Sequence, residues 1–284
     1  MRRVGLLVAL GLFATFVVLA IVASLEVAAL DVASLARRAP ARTALMRQRA
    51  AEAARAHRAF AIDQRWVPYD RISPLLRRSV LVAEDDAFFS HDGLDWNEIK
   101  ASARRNAEAG HVVRGGSTIT QQLARNLFLG NERSLARKLK EVLLALRLER
   151  ALEKRRIFEL YLNEIEWGDG IFGAEAAAQR WFGVSAADLD PRQSALLAAI
   201  IINPREYSPR EPSRRIERRV RLIASRLHRR GALDEDQYRV AIGQAPRPHR
   251  SLIEWLFGGH DTTESPPPVD SLEETPDAPA DSSR

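Results

Sequence analysis

Residues Val4 to Leu25 form an unbroken run without a charged side chain, directly after Arg2 and Arg3. At 1.5 Å rise per residue such a run spans about 33 Å as a helix, enough for the hydrocarbon core of a bilayer. A cleaved secretion signal has a shorter apolar region, about 7 to 15 residues, and a small-residue cleavage site. The run therefore predicts one uncleaved transmembrane helix. Arg2 and Arg3 flank one side; Glu26 and Asp31 come first on the other, with Arg37, Arg38 and Arg42 further out, which places the bulk of the chain outside the cytoplasm. With 28% charged and 46% hydrophobic residues, the chain is neither disordered, fibrous nor multi-spanning. It has no cysteine, so disulfide frameworks, thiol nucleophiles and Cys-ligated metal sites are excluded.

Charge is distributed unevenly. The formal net charge is +6, yet Asp261 to Arg284 carries seven acids and one base, leaving +12 on the first 260 residues. The same tail holds five of the fourteen prolines and too little apolar area to order itself. The expected organisation is an anchor over 1–30, a helical stalk or first helix of the domain over 31–60, a catalytic domain over 61–250 and a disordered acidic, proline-rich tail over 251–284. No internal repeat at a fixed period is present.

Helix signals dominate the domain and few segments alternate at period two, so its class is mainly α. Ser73-Pro74 starts a helix expected to run to about Phe89 before the Asp92-Gly93 turn. Asp95 caps a helix to about Ala109, and Thr118 with Gln121 has capping-box spacing for one ending near Leu129. Ser134 caps a long helix through Leu152. Helices are also expected from Lys154 to Ile165, Ala174 to Trp181, Pro191 to Ile202 and Ser213 to Arg230. The last is rich in arginine and reads as a solvated basic face, with anionic headgroups as the other reading.

Three constellations carry chemistry. Glu84-Asp85-Asp86 are hemmed by Val80, Val82, Phe88 and Phe89, so one carboxylate should be desolvated and gain proton affinity, as a general base requires. Arg114-Gly115-Gly116-Ser117-Thr118-Ile119-Thr120-Gln121-Gln122 puts a glycine pair and hydroxyls at a helix start, where free N–H groups and the positive dipole end suit a diphosphate. It is neither a Walker loop nor a dinucleotide fingerprint. In the helix after Ser134, about 100° per residue aligns Arg137, Glu141, Leu144 and Leu148, with Lys138 at the edge. Leu135, Leu139, Val142, Leu143 and Leu146 lie opposite, so both sides should be buried and the charged turn should line a cleft. Taken singly, each constellation also reads plainly: an acidic surface turn, a helix cap, a surface ion pair.

Taken together, the motifs resemble the peptidoglycan glycosyltransferases of glycosyltransferase family 51, particularly the monofunctional biosynthetic transglycosylases. The first motif is similar to Glu84-Asp85-x-x-Phe88-x-x-His91-x-Gly93, the second to Gly115 through Gln122, and the third to Arg137-Lys138-x-x-Glu141. The fourth resembles Lys154-x-x-Ile157 through Tyr161-Leu162-Asn163 to Gly168 and Gly173, and the fifth Ala195-Leu196-Leu197-Ala198 before Asn203-Pro204. No transpeptidase signature such as Ser-x-x-Lys or Lys-Thr-Gly is present. The family usually carries a lysine where this chain has Arg125, which keeps the charge and changes the contact geometry.

The resemblance implies a lysozyme-like helical lobe with a small membrane-facing jaw, held at the inner membrane by a single span. It implies polymerisation of lipid II into glycan strands, with inversion at the anomeric carbon and release of undecaprenyl diphosphate. Glu84 and Glu141 are the expected catalytic pair. Ser117, Thr118, Gln121, Gln122, Arg125, Arg133, Arg137 and Lys138 are the expected sugar and diphosphate contacts, while Asn163 and Tyr161 are expected to support the fold. A divalent cation, Mg or Mn, is expected with the diphosphate and near Glu141. Lipid II, the growing strand, the membrane and proteins of division or elongation are the expected partners, and nucleic acid is not. A lytic or hydrolytic muramidase would share the lobe and one glutamate but has no use for a diphosphate clamp; a scaffold without catalysis would not need both spaced glutamates.

Overall fold

The computed structural model describes residues 2–110, 116–130 and 134–247. The chain divides into a unit ending at Gln244 and a second starting at Ala245, of which only Ala245 to Arg247 are described. The expected tail lies outside the described residues.

The first unit is mainly helical, as expected. Helix α1 (Arg2–Ala28) is followed by α2 (Ala44–Arg55), α3 (Pro74–Glu84), α4 (Trp96–Ala109) and the short α5 (Ile119–Ala124). Then come α6 (Leu135–Ala151), α7 (Lys154–Glu164), α8 (Ala174–Phe182), α9 (Pro191–Ile200), α10 (Arg214–Arg229) and α11 (Glu235–Ala241). Among residues whose side chains are described, no helix carries an apolar run long enough to cross a membrane; in α1 those side chains start only at Leu10, so the expected span falls partly outside them.

α9 is the central helix. Asp190 and Gln193 close a capping box around Pro191, and every residue from Ser194 to Ile200 is buried. α3, α10 and α11 pack around it, while α5 packs on α6 and α7. A small sheet closes one side: β1 (Asp63–Gln64) runs parallel to β3 (Ile171–Phe172), which is antiparallel to β2 (Glu166–Gly168). Gly173, at φ 85°, lets the chain turn from β3 into α8, where a Cβ would stand 2.7 Å from the Asn163 carbonyl oxygen. The Asn163 side chain bonds the backbone of Val67 and Glu159, tying α7 to the chain before α3.

Four expectations change. α3 ends at Glu84 rather than near Phe89, because Asp85 adopts φ −159°, ψ 83°. Its carboxylate is drawn away to accept the Ile119 N–H at 2.9 Å and to meet His91 Nε2 at 3.0 Å. The segment 31–60 packs onto the domain and is not a free stalk: Leu35 is buried in a short 3₁₀ turn and joins the main core, and α2 buries Leu45, Met46 and Ala53. The face of α6 opposite Glu141 is not buried throughout. Leu135 is 91% exposed and Leu139, Val142, Leu143 and Leu146 are half-buried, with α1 lying along α6. Finally, α10 is not simply a solvated basic face, since Arg219 and Arg226 turn inward onto the end of α3.

α1 continues into the fold. Ala23 and Val27 are buried, and Val27 joins Val32 and Leu35 in the main core. Glu26 pairs with Lys140, and Arg147 donates to the Val27 carbonyl.

Candidate active site

Glu84 is the last residue of α3, so its side chain projects where the helix stops and a cavity of about 370 Å³ opens. Its Oε1 accepts from Arg219 Nη2 at 2.6 Å and its Oε2 from Gln122 Nε2 at 3.1 Å. Burial raises the Glu84 pKa above the ordinary carboxylate value, and the opposing pull of Arg219, Gln122 and Arg125 does not cancel it. Gln122 is itself oriented, because Tyr161 Oη donates to its Oε1 at 2.9 Å. Burial keeps that phenol neutral by raising its pKa well above the usual value.

The three acids of the first constellation thus separate. Glu84 faces the cavity, Asp85 is locked by Ile119 and His91, and Asp86 pairs with Arg230 at the surface. His91 serves Asp85 and therefore the start of α5.

The second constellation begins at Gly116, since Arg114 and Gly115 lie outside the described residues. Thr118 accepts the Gln121 N–H and donates to the Gly93 carbonyl at 2.7 Å, while Gln121 Oε1 accepts the Thr118 N–H. Gln121 is therefore a buried half of the capping box and lines neither cavity described here; Ser117, Thr118 and Gln122 do line the first. At Arg125 the helix loosens into a π turn through Leu129, an irregularity often found at functional sites. Arg125 lines both this cavity and a neighbouring one of about 460 Å³, and the two adjoin across Gln122, Arg125, Ile201 and Ile202.

The second cavity holds Arg137, Arg49, Tyr161 and Asn203. Glu141, 1% exposed, lies beneath it: Arg137 Nη1 reaches its Oε2 and Lys138 Nζ its Oε1, each at 2.5 Å. Lys138 also donates to Ser117 Oγ at 2.9 Å, so one ammonium ties the start of α5 to α6. Arg133 lies outside the described residues. Glu141 thus holds Arg137 and Lys138, while Glu84 faces the cavity.

Among the described residues a divalent ion finds no protein cage. Both Glu141 oxygens are taken by cations, and no group of three His, Cys, Asp or Glu side chains among the described residues is placed to hold a metal.

Residue chemistry alone would not have found Arg219 or Arg49. Arg219 lies in a helix with seven arginines and no motif, and Arg49 lies before the first motif. Tyr161, expected as scaffold, is fully buried in the main core and also orients Gln122 at the wall between the two cavities.

One desolvated carboxylate stands beside a clamped cluster of cations, the arrangement of a group-transfer site, and the chain belongs to the transglycosylase family, whose model matches residues 50–228. It is similar to proteins called biosynthetic peptidoglycan transglycosylase from Laribacter hongkongensis, at 45% identity over 66% of this chain and 83% of the relative. The corresponding protein of Nitrosomonas eutropha is 47% identical over 66% and 77%, and that of Thiobacillus denitrificans 50% over 65% and 79%.

Proposed function

We propose that the chain is a peptidoglycan glycosyltransferase that polymerises lipid II into glycan strands. Glu84 takes the proton from the 4-hydroxyl of the acceptor's N-acetylglucosamine as that oxygen attacks the anomeric carbon of the growing chain. Undecaprenyl diphosphate leaves and the configuration inverts. The observation that carries the reading is the Glu84 environment: burial raises proton affinity, Arg219 favours the ionised form, and Gln122 fixes the direction of Oε2.

The leaving group needs charge stabilisation more than a strong acid. Arg125 and Arg137 line the cavity wall and Lys138 stands beside Ser117, while Glu141 keeps Arg137 and Lys138 oriented. Glu141 is thus a positioning residue. Any Mg or Mn would arrive with the diphosphate and share its negative charge with Arg125, Arg137 and Lys138. A muramidase is disfavoured, because hydrolysis of a glycan strand has no use for the cations gathered at Arg125, Arg137 and Lys138.

The proposed placement is at the cytoplasmic membrane, with α1 as anchor over 1–30, the segment 31–60 leading into a catalytic domain over 61–250, and the domain on the outer side. Supporting this are the uncharged run from Val4 to Leu25 and the exposed Trp96 and Leu135 at the starts of α4 and α6, apolar surface suited to a jaw against lipid. Proteins of division or elongation are the proposed partners. Incubating the purified chain with lipid II alone tests the function: glycan strands without any preformed polymer support it, and hydrolysis of added strands instead overturns it.

A further inference from the structure

The Glu84 cavity continues in two directions besides Arg137. One neighbouring cavity shares Ala83 and Arg219 with it, and a second shares Asp86 and Glu98. These two meet at Arg226, forming a groove of two cavities of about 390 Å³ each between α4 and α10. Its acids are neutralised within it: Asp86 pairs with Arg230, and Glu98 accepts from Arg105 at 2.7 Å. Arg226 donates to the Val82 carbonyl and acts electrostatically on Asp86, Arg229 donates to Ser225 Oγ, and neither is in an ion pair with an acid among the described residues. Val82, Leu222 and Ile223 supply apolar wall between the charges.

Resting on the proposed function, the location says which substrate part reaches this groove. Glu84 attends the acceptor's hydroxyl, and the groove opens from the Glu84 cavity, so it receives a substituent of the acceptor. The spacing says what kind. A diphosphate is compact and suits the tight set at Arg137 and Lys138, whereas spread cations alternating with apolar wall suit an extended chain of carboxylates and small apolar side chains. A flat bilayer surface would not fill two concavities. We propose that the groove between α4 and α10 binds the carboxylate-bearing stem peptide of the acceptor, through Arg226 and Arg229.

The test uses the full chain and two substrates, lipid II with free peptide carboxylates and lipid II with those carboxylates amidated. Wild-type polymerisation of either establishes the parent reading independently; failure with both sinks that reading and not only this one. Arg229→Gln, alone and with Arg226→Gln, should raise KM for the acidic substrate about fivefold while leaving kcat and the amidated substrate unchanged. Arg226→Lys should restore most of the loss. An equal rise for both substrates would assign the arginines to the diphosphate or to the fold and overturn the proposal, as would no change for either. A rise in KM confined to anionic vesicles and absent in micelles would make the groove a membrane contact and overturn it too.

Discussion

Arg219 Nη2 stands 2.6 Å from Glu84 Oε1, joining α10 to the end of α3 across 135 residues of sequence. The cation opposes the burial that raises the Glu84 pKa, so the two effects together set the pH at which the carboxylate can accept a proton. Arg219→Ala should therefore move the acidic limb of the activity profile to higher pH. A pH profile of kcat/KM on lipid II checks it, and an unmoved limb would detach Arg219 from the base.

Glu84→Gln keeps volume and removes the ability to accept a proton. Glycan synthesis should fall by about 10² to 10⁴ with the circular dichroism spectrum unchanged. Near wild-type polymerisation by this variant would remove Glu84 from the mechanism.

Tyr161→Phe deletes only the hydroxyl that orients Gln122. One hydrogen bond of about 1 kcal/mol corresponds to a severalfold fall in kcat. Thermal denaturation separates this from damage to the core, in which Tyr161 is fully buried. If Gln122→Ala and Tyr161→Phe proved fully additive, the relay from Tyr161 through Gln122 to Glu84 would be wrong.

Glu164 offers a stability test away from catalysis. Its carboxyl is buried, accepts from Gln64 Nε2 at 3.0 Å, and is pushed by desolvation from 4.5 to about 8. Because the folded value is the higher one, its contribution is fully present below 4.5 and is lost as pH rises through 8. Glu164→Gln should flatten the fall in stability between those limits, measured by urea unfolding at several pH values. A variant with the same slope as wild type would assign the dependence elsewhere.

Truncation separates the anchor from the fold at a definite place. Removing residues 1–22 spares Ala23, Val27 and the Glu26 to Lys140 pair, so stability in detergent should hold. Removing 1–30 takes all three and the carbonyl that Arg147 uses, which should cost about 2 kcal/mol or more. Equal stability of the two truncations would show that α1 does not support α6.

Much of this protein was legible from local chemistry. The capping box at Thr118, the cap at Ser134 and proline at the first position of α3 act over a few residues, so sequence alone determined most helix starts and the mainly helical class. The spaced motifs likewise determined the family. Tertiary structure decided what depends on distant partners. Glu84, Asp85 and Asp86 are chemically similar neighbours; Arg219, Ile119 and Arg230 give them three different roles. Of the seven arginines in α10, the packing of Ile216, Val220 and Ile223 against α9 chooses which side turns Arg219 toward the site. A helical pattern fixes which residues share a face, but the energy that selects what that face meets comes from burial against elements far away in sequence.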